Sequence, residues 1–196
     1  MIKTALITGV SKGIGNSIKS ELLNSNYRVI GISRTKQTNI GDNYFHLKAD
    51  ISKKDGIYLI DKYINKNVNK LDLLILNVGG VNKFGYFEDL NMEDWEMAIN
   101  LNLKANVNLI KNLLPYLKKS ESSQIVFVGS AVSTNPGYAN PHYIATKVAL
   151  LALAKNLSLV YAKDKIRVNT ISPGPVITDS MINNIKSTKP INKNLD

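Results

Sequence analysis

Apolar residues along the chain fall into two alternating patterns. Six short runs, residues 4–8, 27–33, 44–48, 71–77, 124–129 and 166–171, are rich in Ile, Leu and Val, and stretches such as LDLLIL and IVFVG are almost continuously apolar. Such continuity suits strands covered on both faces, because a half-exposed strand would alternate apolar with polar positions. Between these runs the spacing changes to three or four residues, at Ile14, Ile18 and Leu22; Ile57, Ile60 and Ile64; Trp95, Ile99 and Leu103; and Ala145, Ala149 and Ala152. That period lays one apolar stripe along a helix. Strand and helix in repeated alternation predict one α/β domain, a doubly wound parallel sheet of about six strands with helices on both faces. After about residue 182 the pattern dissolves into NNIKSTKPINKNLD, so the domain is expected over residues 1–182 and a polar, mobile tail over 183–196.

The turn from the first strand into the first helix reads TGVSKGIG, with glycines at Gly9, Gly13 and Gly15 and with Ser11, Lys12 and Ile14 between them. Glycine permits positive φ and close approach of backbone to ligand, while free N–H groups and the helix dipole favour phosphate. A dinucleotide pyrophosphate is the expected guest. The second strand ends in VIGISRTK, with Ser33 where an acidic residue would accept the ribose hydroxyls, followed by Arg34. Two cations, Lys12 and Arg34, and no acid at that place favour a 2′-phosphate, hence NADP(H) over NAD(H).

Tyr143 and Lys147 stand four apart, which puts phenol and ammonium on one helix face. The spacing alone means little, since Tyr44/Lys48, Tyr58/Lys62 and Tyr161/Lys165 share it. Context separates them: Gly129 and Ser130 end a buried strand just before the turn-rich SAVSTNPGYANPH, so Ser130 and Tyr143 can meet at the carboxyl edge of the sheet, where α/β proteins bind ligands.

Composition narrows the picture further. At 196 residues the chain can bury a core without staples, and it has no cysteine, which fits a reducing compartment and points to the cytoplasm. Only His46 and His142 offer imidazoles, in unrelated contexts, so no metal centre is expected. No run approaches the length of a membrane span, and no membrane partner is expected. The net charge of +10 comes from lysines scattered among asparagines, without a basic cluster or a recognition motif, so no nucleic-acid partner is expected either.

TGVSKGIG, Asp50-Ile51 in KADIS, Asn77-Val78-Gly79-Gly80, Trp95, Asn102-Leu103, Ser130, Tyr143-x-x-x-Lys147 and Ser172-Pro-Gly-Pro-Val-Ile-Thr178 occur in an order and at spacings that resemble the short-chain dehydrogenase/reductase family. The resemblance covers residues 1 to about 182. It implies a Rossmann-type fold and reversible hydride transfer between a nicotinamide dinucleotide and a carbonyl or alcohol substrate. It implies Tyr143 as general acid/base, Lys147 as its activator and ribose ligand, Ser130 as the group holding the substrate oxygen, and Asn102 as anchor of a proton-relay water. Lys147 is expected to lower the Tyr143 phenol from its usual pKa toward neutrality. Asp50 and Ile51 would meet the adenine, Asn77, Val78 and Gly79 the ribose, and Pro173, Gly174, Val176 and Thr178 the nicotinamide end. Val78 replaces the family's usual alanine, and the family's lid helix, following helix and final strand have no counterpart here. That shortening admits a second reading, an NADP(H)-binding fragment or redox sensor with little turnover. The stretch 143–161 is apolar around much of its circumference, and the resemblance implies that it pairs with the helix over 103–117, so a homodimer is expected. A sixth strand at an exposed edge and an open cleft are also expected.

Overall fold

A computed structural model describes residues 2–38, 41–137, 139–178 and 182. The expected tail, 183–196, lies outside the described residues. Six strands, β1 (Thr4–Thr8), β2 (Arg28–Ser33), β3 (Tyr44–Lys48), β4 (Leu73–Leu76), β5 (Ser123–Val128) and β6 (Ile166–Ile171), form one sheet in the order β3-β2-β1-β4-β5-β6. Every pairing is parallel. The helices are α1 (Gly13–Asn24), α2 (Lys54–Asn67), α3 (Met92–Ile99), α4 (Ala105–Leu117) and α5 (Pro141–Val160).

Successive strand residues go to opposite faces, which explains the continuous apolar runs. Leu6, Ile30, Ile32, Leu74, Ile125 and Phe127 join Ile60 and Ile64 of α2, Leu109 and Leu113 of α4, and Leu150 and Ala154 of α5. Ile7, Val29, Ile75 and Val128 turn the other way, onto Ile18 and Leu22 of α1. Helices therefore cover both faces, and the fold is the doubly wound one expected. Strand β4 is shorter than the run 71–77 because the Asn77 and Val78 amides donate to the Thr8 hydroxyl, at 3.0 and 3.1 Å, instead of continuing a ladder. Strand β6 forms one edge of the described sheet, and its outer positions are exposed.

The period through Trp95, Ile99 and Leu103 predicts one continuous helix, but a π-helical stretch, Asn100–Lys104, separates α3 from α4. The widened turn puts Asn102 entirely inside, where its carbonyl accepts the Asn106 side-chain amide at 2.7 Å. Helix α5 has 20 residues and contains an 18-residue window of mean hydropathy 1.4, which by length and composition alone meets the measure of a membrane span, against the expectation that no run does. It carries Lys147 and Lys155 and lays Thr146, Leu150 and Ala154 inward, as one cover of the sheet.

The order of strands reverses between β1 and β4, and α/β proteins open a crevice at the carboxyl ends of the strands at such a point. Both segments that bound it are tied down. The Asn77 side-chain Nδ2 donates to the Thr8 and Gly9 carbonyls at 3.0 and 3.2 Å, bracing the glycine turn from the β4 side.

Candidate functional site

The crevice is a cavity of about 720 Å3 that runs from the glycine turn to the first turns of α5. At one end, Gly9 and Gly13 have φ of +75° and +57°, the left-handed conformation that other residues adopt at a cost. A Cβ on Gly15 would stand 2.2 Å from the Gly9 carbonyl oxygen and 2.5 Å from Asn77 Nδ2, so only glycine lets the turn pack on the helix. Helix α1 begins after Lys12 without a side-chain cap, leaving its first amides to a ligand. Thr178 crosses over this turn, its methyl 3.3 Å from where a Gly13 Cβ would be. An uncapped helix start behind a glycine turn, with cations at its rim, fits a pyrophosphate.

Ser11, Lys12, Ile14, Ser33, Arg34, Asp50, Ile51, Val78, Gly79, Pro173, Gly174 and Thr178 all line the same cavity, as do Tyr143, Lys147 and Ser130 at its far end. Asn102 and Val176 do not line it; Asn102 lies behind the wall, and Val176 is an exposed residue beside it. Ile32, Thr35, Ala49, Leu101, Val128 and Gly129 line it as well, and sequence reasoning did not assign them to the site. Their side chains carry no chemistry a motif could flag.

At the adenosine end, Asp50 feels both Arg34 and Lys53. Burial pushes its carboxyl up, but hydrogen bonds from the Ser52 hydroxyl and amide, together with Arg34 and Lys53, hold it below its ordinary value. The Ser52 bonds are 2.7 and 2.9 Å. Arg34 therefore acts on the Asp50 carboxylate, while Ser33, and not an acid, stands at the end of β2.

At the reactive end, three segments converge. Ser130 caps the short turn after β5, and the Ala131 amide donates to the Pro173 carbonyl at 2.9 Å, tying that turn to the segment after β6. Asn140, at φ +63°, and Gly85 exchange two hydrogen bonds, 2.8 and 3.2 Å, which fix the start of α5 against the loop after β4. Tyr143 and Lys147 then follow one helical turn apart. Lys147 is 4% exposed; its ammonium donates to the Val128 carbonyl at 2.9 Å and lies 5.6 Å from the Tyr143 ring centre. Burial depresses its pKa from 10.5 to about 8. The Tyr143 phenol is pushed up by burial and pulled back in part by its hydrogen bond with Ser130. The expectation that Lys147 brings Tyr143 toward neutrality is thus corrected for the chain by itself: desolvation dominates both groups.

Gly79 lies between two of the other site residues. A Cβ there would be 3.0 Å from Asn102 Oδ1 and 3.0 Å from Lys147 Nζ. Asn102 accepts from the Gly80 amide at 2.8 Å and donates to the Gly80 carbonyl at 3.1 Å, so it holds the Gly79–Gly80 backbone against the cavity. His142, next to Tyr143, is fully buried and packs edge-on to Trp95, and neither ring nitrogen has a hydrogen-bond partner among the described residues. No cluster of three metal-ligating side chains occurs among the described residues.

Comparisons with known proteins agree with this geometry. Residues 3–189 match the family described as short chain dehydrogenase. A 3-oxoacyl-[acyl-carrier-protein] reductase of Buchnera aphidicola is 30% identical over 200 residues, covering 98% of this chain and 80% of that protein. A short chain dehydrogenase family protein of Francisella tularensis superposes with a TM-score of 0.87 at 35% identity, over 95% of this chain and 75% of that one. The 3-ketoacyl-(acyl-carrier-protein) reductase of Brucella melitensis, solved with NADH, gives a TM-score of 0.85 at 26% identity, over 92% of this chain and 78% of that one.

Proposed function

This chain belongs to the short-chain dehydrogenase family and is an NAD(P)H-dependent oxidoreductase acting on carbonyl or alcohol substrates; from that premise we propose that it prefers NADP(H) and that Tyr143, Ser130 and Lys147 perform the proton chemistry. The observation that carries the reading is the single cavity: Lys12, Arg34 and the uncapped start of α1 bound one end, and Ser130, Tyr143 and Lys147 bound the other. A bound nicotinamide supplies the hydride. The chain supplies position and a proton. Tyr143, kept protonated by burial, donates its hydroxyl hydrogen to the substrate oxygen during reduction, and the Ser130 hydroxyl holds that oxygen. Lys147, with a pKa brought near the working range, returns a proton toward the phenol and meets the ribose. Asn102 keeps Gly79 and Gly80 in place behind both. The glycine turn, Asp50, Ile51, Asn77, Val78 and Gly79 receive the adenosine half, and Pro173, Gly174, Val176 and Thr178 the nicotinamide half.

The test of the chemistry is a panel of carbonyl compounds with NADPH, followed at the nicotinamide absorbance. A 3-oxoacyl thioester is the first compound to try, since reductases of that class are among the relatives. Tyr143→Phe should abolish turnover while NADPH affinity stays within about twofold, because only the proton is lost. Turnover that survives the change would overturn the assignment.

The preference for NADP(H) rests on this chain's own cations, since the Brucella relative was solved with NADH. NADPH should bind at least tenfold more tightly than NADH, about 1.4 kcal/mol. Replacing Lys12 and Arg34 with alanine should weaken NADPH far more than NADH. Equal affinities in the wild type would refute the preference. We also propose a homodimer through α4 and α5. Helix α5 leaves Val148, Leu159 and Val160 exposed, and its small alanines permit close helix approach.

A further inference from the structure

The end of β2 carries a hydrogen-bond network that ties Ser33 to residues outside the site motifs. In the register of β2 with β3, His46 lies opposite Gly31, so it shares a face with Ser33. The Gln37 amide donates to His46 Nδ1 at 3.2 Å. A nitrogen that accepts carries no proton, so in the neutral ring Nε2 is the N–H, and it donates to Ser33 Oγ at 2.8 Å. Ser33 in turn donates to the Thr35 carbonyl at 2.8 Å. The hydroxyl hydrogen of Ser33 is thereby committed inside the chain and is not offered to a ligand.

Gln37 closes the other end of the segment. Its Nε2 donates to the Val10 carbonyl at 3.3 Å, and its Oε1 accepts from the Tyr44 hydroxyl at 2.6 Å. Val10 belongs to the glycine turn, and Tyr44 is fully buried over Gly31, where a Cβ would come within 2.6 Å of its hydroxyl oxygen. Arg34 thus sits on a short exposed segment whose two ends are fastened, one to β3 and one to the glycine turn.

We infer that His46 and Gln37 are positioning residues that set the preference for a 2′-phosphorylated dinucleotide, by holding segment 33–37, and with it Arg34, against the glycine turn. The inference rests on the NADP(H) reading above. A guanidinium on a loose loop would lose conformational freedom on meeting the phosphate, whereas one on a fastened loop has already lost it. The effect falls on the ligand that carries the phosphate. NADH makes no demand on Arg34 and should be nearly indifferent to the network.

Titration of the full chain with NADPH and with NADH tests this in the wild type, in His46→Leu and in Gln37→Met, with Tm measured alongside. Both variants should weaken NADPH at least fivefold, change NADH by less than twofold, and keep kcat at saturating NADPH. Should His46→Leu fail to fold, Gln37→Met, which keeps the stem of a half-buried side chain, carries the test alone. Equal weakening of both dinucleotides, or unchanged NADPH affinity, overturns the positioning role. If the wild type prefers NADPH in that case, the cofactor reading stands; a wild type without preference overturns both.

Discussion

Lys147→Met separates what the buried ammonium costs the fold from what it does for catalysis. At 4% exposure the ammonium makes one hydrogen bond among the described residues, to the Val128 carbonyl at 2.9 Å, and its pKa falls from 10.5 to about 8. At roughly 1.4 kcal/mol per tenfold change in the protonation equilibrium, that depression means the folded chain carries a penalty of about 3 kcal/mol at neutral pH. Methionine fills a similar volume without charge, and it leaves the Val128 carbonyl without its donor, a loss of about 1 kcal/mol. The variant should therefore be more stable than the wild type by about 2 kcal/mol at pH 7, or roughly 4–8 °C in Tm for a chain of this size, while losing activity. The sign with pH follows from linkage. The folded pKa lies below the unfolded one, so between about 8 and 10.5 the unfolded chain binds more protons. Wild-type stability therefore rises relative to the variant across that window, and above it the wild type should lead by about 1 kcal/mol. Urea unfolding of both proteins at intervals from pH 6 to 11 reads this directly. A difference that stays constant with pH, or a variant less stable at pH 7, would refute the reasoning.

Two further outcomes are expected. His142 is buried with neither ring nitrogen paired among the described residues, and burial lowers its pKa, so the folded chain resists protonating it and loses stability as pH falls below 6.5. His142→Phe should raise stability by about 1–2 kcal/mol at pH 7 and flatten the acid limb of a stability–pH curve; a variant that unfolds in acid as readily as the wild type would contradict this. Light scattering at micromolar concentration should find a dimer, and Leu159→Asp together with Val160→Lys should give a monomer; an unchanged mass would move the interface away from α5.

The apolar runs were enough to find the six strands of the described residues, most plainly β1, β2 and β4, which are buried on both faces and so nearly continuously apolar. Boundaries slipped where a side chain replaced a ladder bond, as where the Thr8 hydroxyl takes the Asn77 amide. The π-helical turn at Asn100–Lys104 was hidden for a different reason. Trp95, Ile99 and Leu103 keep a helical period through it, and what it changes is the direction of Asn102, which depends on a polar partner, Gly80, on another segment. Helix α5 concealed its membrane-like hydropathy behind two lysines, one of which the fold buries.

The site divides along the same line. Glycines at a strand–helix turn, and a serine, a tyrosine and a lysine at a sheet edge, are legible because their chemistry is local to each motif. Electrostatics is not, since it depends on what surrounds a group. The sequence sets Lys147 beside Tyr143 and so suggests a cation lowering a phenol, whereas the fold takes both from water and moves each toward its neutral form. Burial drives the two pKa values apart, the phenol up and the ammonium down, so a proton passes downhill from the Lys147 ammonium to a Tyr143 phenolate, and that follows from the depth of α5 against β5, not from the spacing of its residues. The same holds at the adenosine end. Arg34 is visible in the sequence, but the fastening of its loop joins His46 on one strand to Ser33 on its neighbour and Gln37 to Val10, and only the register of β2 on β3 brings those residues together.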